Sequence, residues 1–310
     1  MSIRKPKFWD YKELSSIAIF LLPISFFLIL LSFLKKKLTI TKNFKVPILC
    51  VGNIYIGGTG KTPLSIKLYE ILKSLKKNPA IIKKYYKNQR DEIDLIRKVT
   101  KNVIVGSTRA EAVLSAQNKG YDSLILDDGY QDYSIKKDLN ILCFNEKQLL
   151  GNGLTLPSGP LRESASGVKN SKLIIINGKK NIKFERKIKE FSNKIKIFYS
   201  NYIPINYGKF KNKKLIAFAG IGNPENFFSL LKQCKLDVKK KVSFPDHYLY
   251  TKKDLKNLRA LSKRNNCELI TTEKDYFRIK NLGYGNINFL LIKLKILKKL
   301  ELIEELKKYI

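Results

Sequence analysis

Residues 55–63 read YIGGTGKTP. Ahead of them, Lys45–Val51 (KVPILCV) is a short apolar run that fits a buried strand. Behind them, Leu64, Leu68, Ile71, Leu72 and Leu75 recur at helical spacing. Strand, glycine turn and helix are the setting of a phosphate-binding loop, in which backbone N–H groups converge on phosphate oxygens at a helix N-terminus. On this reading Tyr55, Ile56, Gly57, Gly58, Thr59, Gly60, Lys61 and Thr62 wrap the phosphates of ATP. Lys61 reaches the β- and γ-phosphates, and Thr62 offers its hydroxyl to Mg2+. Pro63 sits in the first helical turn, where a missing N–H matters little.

The loop departs from the common pattern at one place. A glycine usually stands six residues before the lysine, and here that position is Tyr55. The change alters the first turn of the loop rather than the cradle. Loops of this kind in dimeric partition and metallochaperone ATPases carry an extra lysine before the glycine pair. Ile56 occupies that position here and speaks against that branch.

Further strands are predicted at 79–83, 102–106, 123–127, 140–144 and 172–177, with a helix at 109–118. The alternation points to an α/β fold with a mostly parallel, P-loop NTPase-like sheet and helices on both faces. A second, smaller α/β unit starts near residue 213 with a strand, a glycine turn and a helix in KKLIAFAGIGNPENFFSLLKQ. Thr251 and Asp254 form a capping box for a helix to about residue 265. Strands at 267–271 and 287–294 and a helix at 298–309 complete that unit, while the lysine-rich 178–212 reads as a connector with a strand at 195–199. The expected division is an N-terminal membrane-associated helix at 1–40, a P-loop domain at 41–205 and a C-terminal α/β domain at 206–310.

Residues 14–34, LSSIAIFLLPISFFLILLSFL, carry no charge and match the roughly 20 apolar residues that cross a bilayer. Trp9 and Tyr11 flank one end and Lys35, Lys36 and Lys37 the other. Whether the segment spans or lies in one leaflet is left open, since Pro23 can bend it and both flanks are basic. The net charge is +35, from 61 Lys and Arg against 26 Asp and Glu. The lysines are spread along the chain, without a zinc finger, an RNP-type motif or a basic recognition helix. The charge is therefore assigned to an anionic membrane surface or an anionic substrate, not to nucleic acid. No obligate protein partner is evident. Cys50, Cys143, Cys234 and Cys267 form no CxxC pair and read as reduced core thiols.

Asp127 and Asp128 end an apolar strand in YDSLILDDGYQD, the placement of carboxylates that hold Mg2+ directly or through water. GNGLTLPSGPLRES can put Arg162 on a phosphate and Glu163 near the metal. The chain has a single histidine, His247, in FPDHYLYT before a helix.

Taken in order, VGNIYIGGTGKTP, DEI at Asp91, LDDGYQD, GNGLTLPSGPLRE, AGIGNPENFF, FPDHYLYT and TTEKD resemble the lipid A 4'-kinase (tetraacyldisaccharide 4'-kinase) family over nearly the whole chain. The resemblance implies two lobes with the active site in the cleft. It implies transfer of the γ-phosphate of ATP to the 4'-hydroxyl of a tetraacylated glucosamine disaccharide 1-phosphate, the lipid A precursor, at the cytoplasmic face of the bacterial inner membrane. It implies that Asp91, paired with His247, is the base on the sugar hydroxyl, with Lys61 as the third catalytic residue. Thr62, Asp127, Asp128 and Glu163 are then metal-binding, and Arg162, Gln131 and Asp246 substrate-binding. Two stretches differ from the family pattern. KKYYKNQRDEI replaces a Ser-Arg-Gly-Tyr-rich run, with Asp94 as the alternative to Asp91. Asp132 stands where histidine is common and inverts the local charge. The competing expectation is a membrane-tethered P-loop NTPase switch without a small-molecule acceptor.

Overall fold

A computed structural model describes residues 6–10, 14–86, 90–284 and 286–310. Tyr11 and residues 87–89 of the stretch before Asp91 lie outside the described residues.

The apolar run at the start of the chain folds as two helices, α1 (Ser16–Phe20) and α2 (Leu22–Leu38). This corrects the expectation of one continuous membrane helix over 14–34. Pro23 lacks an N–H and its ring crowds the carbonyl one turn earlier, so the helix restarts with the proline in its first turn. At 1.5 Å per residue α2 is roughly 25 Å long, and its last turn carries Lys35, Lys36 and Lys37. No helix among the described residues is long and apolar enough to cross a membrane. Much of the pair's surface is nevertheless apolar and exposed, with Phe20 at 81% and Phe26 at 70%.

The next elements are β1 (Ile48–Gly52), α3 (Lys61–Ser74), β2 (Pro79–Lys84), α4 (Arg90–Val99), β3 (Val103–Gly106), α5 (Arg109–Asn118), β4 (Ser123–Asp127), β5 (Leu139–Asn145) and β6 (Leu173–Asn177). Then follow α6 (Ile182–Phe191), β7 (Lys196–Pro204), β8 (Lys214–Ala219), α7 (Pro224–Gln233), β9 (Asp237–Ser243) and α8 (Lys252–Arg264). The chain ends with β10 (Glu268–Thr272), α9 (Glu273–Ile279), β11 (Asn288–Leu290), β12 (Ile292–Ile296) and α10 (Lys299–Lys307). The expected connector at 178–212 thus holds a helix and a nine-residue strand. The strand expected at 287–294 divides into β11 and β12.

Two compact units result. The larger runs through Tyr85, then Asn102–Asn201 and Leu294–Ile310. It holds the sheet ordered β12-β7-β6-β5-β1-β4-β2-β3. From β3 across to β7 every neighbouring pair is parallel. Parallel strands are buried on both faces, which is why β1, β4 and β6 read as unbroken apolar runs. β1 lies between β4 and β5, and its partner for Val51 is Asp127. That register puts the acidic end of β4 beside the start of the glycine loop. On α3, Leu64, Leu68, Ile71 and Leu72 are buried, as their spacing predicts.

The smaller unit gathers Tyr86–Lys101 and Tyr202–Lys293. Its parallel sheet is ordered β11-β10-β8-β9. Two apolar clusters serve it, one around Phe227, Phe228 and Leu231, the other around Phe218, Tyr250 and Leu255. The capping box at Thr251 and Asp254 forms as expected. α4 belongs to this unit although both neighbouring strands, β2 and β3, belong to the larger one.

Within the larger unit, polar contacts tie the N-terminal segment to the loop at 152–158. Ser25, buried in α2, accepts the Ser158 N–H at 3.0 Å and lies 3.1 Å from the Thr155 carbonyl oxygen. The Trp9 indole donates to the Pro157 carbonyl at 2.9 Å. Ser25→Ala leaves the Ser158 amide and the Thr155 carbonyl without that partner. It is expected to cost about 1–3 kcal/mol in urea unfolding of the detergent-solubilised protein. Unchanged stability would mean that Ser25 is not an anchor.

Candidate active site

The glycine loop is shaped by two backbones in the left-handed region, Gly57 at φ 101° and Gly60 at φ 98°. Side chains are strained there, so glycine is required where α3 begins. Asn53, at the exit of β1, closes the loop by donating from Nδ2 to the Gly57 carbonyl at 3.3 Å. Tyr55 is fully buried and pairs with Leu161 in an antiparallel bridge. The Ile56 N–H donates to the Pro160 carbonyl at 2.8 Å and the Arg162 N–H to the Ile54 carbonyl at 2.7 Å. The tyrosine in place of a glycine is therefore a strand-like position, zipped to the GNGLTLPSGPLRES segment. Its hydroxyl donates to Asp10 at 3.2 Å. Beneath the loop, the Cys143 thiol donates to the Thr59 carbonyl at 3.0 Å, and burial pushes that thiol up to about 12, so it stays protonated.

Asp127 is a buried carboxylate held by three donors. Thr62 Oγ1 donates to Oδ2 at 3.1 Å, Ser65 Oγ to Oδ1 at 3.0 Å, and Lys83 Nζ to Oδ2 at 2.7 Å. Thr62 and Ser65 lie three apart on α3 and so share the face turned to β4. Asp128 projects the other way. Its backbone is left-handed at φ 59°, and the Arg109 guanidinium fixes its carbonyl at 2.6 Å. Its Oδ1 faces Lys61 Nζ at 3.5 Å and the Arg162 guanidinium at 3.3 Å. Lys61, Asp128 and Arg162 are thus brought together, with Thr62 and Asp127 directly behind.

Glu163 and Gln131 meet at 2.7 Å, and Gln131 also donates to the Asn53 carbonyl at 3.0 Å. Burial raises the Glu163 carboxyl above the ordinary carboxylate range, against the hydrogen bond from Gln131 and the charges of Lys36, Lys137 and Arg162. Asp132 pairs with Arg109 at 3.3 Å and accepts the Ser134 hydroxyl at 2.6 Å. Burial works to raise its carboxyl, but the Ser134 and Arg109 contacts outweigh burial and hold it low. Its negative charge is therefore neutralised locally by Arg109.

Mg2+ takes oxygen ligands, usually one or two carboxylates with waters and phosphate oxygens. The Thr62 hydroxyl and the carboxylates of Asp127, Asp128 and Glu163 are donors of that kind. The Lys83 ammonium on Asp127 makes that carboxylate better suited to hold a cation through water than directly. Among the described residues no group of three or more His, Cys, Asp or Glu converges on one point. The donor set thus fits an ion carried largely by water and phosphate, not an all-protein cage.

The remaining predicted residues, Asp91, Asp246 and His247, belong to the smaller unit. Asp91 is buried in the first turn of α4. Asp91 and His247 do not pair directly; Arg278 of α9 stands at both. Arg278 donates from Nε and NH2 to Asp91 Oδ2 at 3.1 and 2.7 Å, and its NH2 lies 3.3 Å from His247 Nδ1. Its NH1 donates to the Gly220 carbonyl at 2.6 Å and to Asp275 Oδ1 at 3.0 Å. Burial and the charges of Asp275 and Asp91 act on Arg278 in opposite directions, and the carboxylates win, raising its affinity for the proton. Asp275 is fully buried and also accepts the Gly220 N–H, the Tyr250 hydroxyl and the Thr272 hydroxyl. A Cβ on Gly220 would come within 2.9 Å of the Tyr250 oxygen, so a larger residue there would push the tyrosine hydroxyl off Asp275. Asp246 accepts the His247 N–H at 3.0 Å and is partly exposed. Asp94, the alternative to Asp91, lies 4.0 Å from Lys280.

Sequence reasoning missed Ser65, Lys83, Arg109, Asp275 and Arg278. One left a signal: Arg278 follows Asp275 at the i,i+3 helical spacing. Lys83 did not stand out, because Lys84 follows it at the end of the same strand.

Residues 17–310 match the family model described as tetraacyldisaccharide-1-P 4'-kinase. The tetraacyldisaccharide 4'-kinase of Pelagibacter ubique (strain HTCC1062) is 43% identical, covering 93% of this chain and 92% of its own. That of Rickettsia bellii (strain OSU 85-389) is 33% identical, covering 88% and 89%. Among solved structures, one described as an "apo" form of LpxK from Aquifex aeolicus in complex with ATP has TM-score 0.72 and 26% identity, covering 94% of this chain and 99% of that one. The chain belongs to the tetraacyldisaccharide 4'-kinase family.

Proposed function

We propose that the protein is an ATP-dependent lipid kinase of lipid A biosynthesis. It transfers the γ-phosphate of ATP to the 4'-hydroxyl of a tetraacylated glucosamine disaccharide 1-phosphate. The observation that carries this reading is the joined set at the carboxyl ends of β1 and β4: the glycine loop, Lys61 on Asp128, Arg162 on the same oxygen, and Thr62 on Asp127. Phosphoryl transfer asks a protein mainly for positioning and charge neutralisation. The loop amides and the N-terminus of α3 take the β- and γ-phosphates. Lys61 and Arg162 exchange part of their hold on Asp128 for phosphate oxygens, so they neutralise charge as the bridge to the β-phosphate breaks. Thr62, Asp127, Asp128 and Glu163 are the residues that would hold Mg2+, which would supply further neutralisation of phosphate charge. Asp91 takes the proton of the 4'-hydroxyl as its oxygen bonds to phosphorus, and ADP leaves.

The acceptor carries acyl chains and remains in a lipid layer. The exposed apolar side chains of α1 and α2, with Lys35, Lys36 and Lys37 at one end, suit a helix pair lying in a lipid surface. ATP is a cytoplasmic substrate, so this surface is assigned to the cytoplasmic face of the bacterial inner membrane.

Three outcomes check this reading. Label from γ-labelled ATP is expected in the lipid when detergent-solubilised protein meets tetraacyldisaccharide 1-phosphate. Lys61→Ala should lower that transfer by about 10²–10³-fold; slow ATP hydrolysis indifferent to the lipid would instead indicate a switch. Second, Glu163 ionises at higher pH than an ordinary carboxyl. In the apo-protein burial shifts it toward the neutral form, so the stability it adds is full below the ordinary glutamate value and fades as pH rises through the folded value. Cation binding needs the carboxylate, so transfer at limiting Mg2+ should rise with pH across that window. Glu163→Gln should lose this limb, and an identical pH profile would remove Glu163 from the cation. Third, Phe20→Asp with Phe26→Asp should abolish flotation with anionic phospholipid vesicles while leaving ATP binding intact. Undiminished flotation would rule out the helix pair as the lipid contact.

A further inference from the structure

The proposed reaction needs Asp91 as a base, and the residue that decides how Asp91 presents itself is Arg278. We propose that Arg278 is a positioning residue that fixes both the free oxygen of Asp91 and the tautomer of His247.

A guanidinium has five N–H donors and no acceptor. All five are used here. Nε and one NH2 hydrogen go to Asp91 Oδ2, and the other NH2 hydrogen goes to His247 Nδ1. The two NH1 hydrogens go to the Gly220 carbonyl and Asp275 Oδ1. Two consequences follow from the count. First, Asp91 is gripped by one oxygen only. Among the described residues its Oδ1 takes no hydrogen bond, and that is the atom with a lone pair for the 4'-hydroxyl proton. Second, Arg278 cannot accept, so His247 Nδ1 must. The imidazole proton is thereby placed on Nε2, and His247 acts as a neutral donor.

The guanidinium is itself held from behind. Asp275 is closed in by the Gly220 amide, the Tyr250 hydroxyl and the Thr272 hydroxyl. Arg278 thus cannot swing away from Asp91 without leaving a buried carboxylate unpaired. During transfer the hydroxyl proton moves to Asp91 Oδ1, the sugar oxygen bonds to the γ-phosphorus, and the bond from that phosphorus to the β-phosphate oxygen breaks. Arg278 neither gives nor takes a proton. It keeps the base aimed until the proton arrives.

Lysine retains the charge but presents three donors at one point and cannot reproduce a five-way fork. Arg278→Lys is therefore the informative variant, and Arg278→Gln the severe one. For both we expect kcat for lipid phosphorylation to fall about 10²-fold, with KM for ATP unchanged. Intact ATP binding serves as the folding control. His247 is the single histidine, so a 15N-histidine spectrum of the whole protein in detergent reports it alone. At neutral pH the wild type should show Nδ1 unprotonated and Nε2 protonated, and both variants should move toward a mixture of tautomers. If Arg278→Gln does not fold, Arg278→Lys and the wild-type spectrum still decide. Full kcat in Arg278→Lys, or a wild-type proton on Nδ1, overturns the positioning role. Failure of the wild type to phosphorylate the lipid overturns the reaction instead, and the tautomer still judges Arg278.

Discussion

Lys83 and Asp127 form an ion pair at 2.7 Å in which both side chains are essentially sealed from water. Desolvating two charges is costly, and the attraction repays the cost only if the remaining hydrogen-bonding capacity is met. Here it is met from the one helix that matters, because Thr62 and Ser65 supply the other donors to Asp127. The pair therefore joins β2, β4 and the first turn of α3. It fixes the height of the phosphate helix against the sheet, and Asp128, one residue on, turns outward to Lys61 and Arg162. Removing Lys83 would leave Asp127 as a buried charge without its counter-ion beneath the glycine loop.

The smaller unit repeats the device with a different residue. Arg278 is a buried cation between two buried acids, and its planar fork reaches four separate stretches of chain at once. Those stretches are the start of α4, the turn after β8, the loop before α8, and α9 itself. The DEI, AGIGN, FPDH and TTEKD segments, which carry the family resemblance, converge on that one guanidinium. In the larger unit the ion pair sets a helix against strands; in the smaller one it holds Asp91 and His247 on one guanidinium.

Much of the larger unit was legible. A parallel sheet buried on both faces leaves continuous apolar runs, so β2, β4, β5 and β6 appear in the sequence almost at their true limits, while β1 starts three residues later than expected. What was not legible has physical causes. β9 is an edge strand whose burial alternates weakly, so DVKKKVS shows no apolar pattern. α6 buries only Phe184 and Ile188, too few to mark a helix within a lysine-rich stretch. α9 follows β10 without a loop, since Thr272 both ends the strand and caps the helix. The single helix expected over 14–34 failed because hydropathy does not register the backbone cost of Pro23.

The sequence by itself determined the local chemistry: a glycine loop between a strand and a helix, two acids at a strand end, and a lone histidine before a capped helix. These are short-range consequences of dihedral freedom, side-chain period and donor type, readable within about ten residues. Only the tertiary structure decided which distant groups share a charge. It placed α4, and with it Asp91, in the smaller unit although its neighbours in sequence build the larger sheet. It put Arg278 rather than His247 against Asp91, and Lys83 against Asp127. The reason is that a buried charge must find its counter-charge wherever packing brings one, and sequence distance carries no record of that choice.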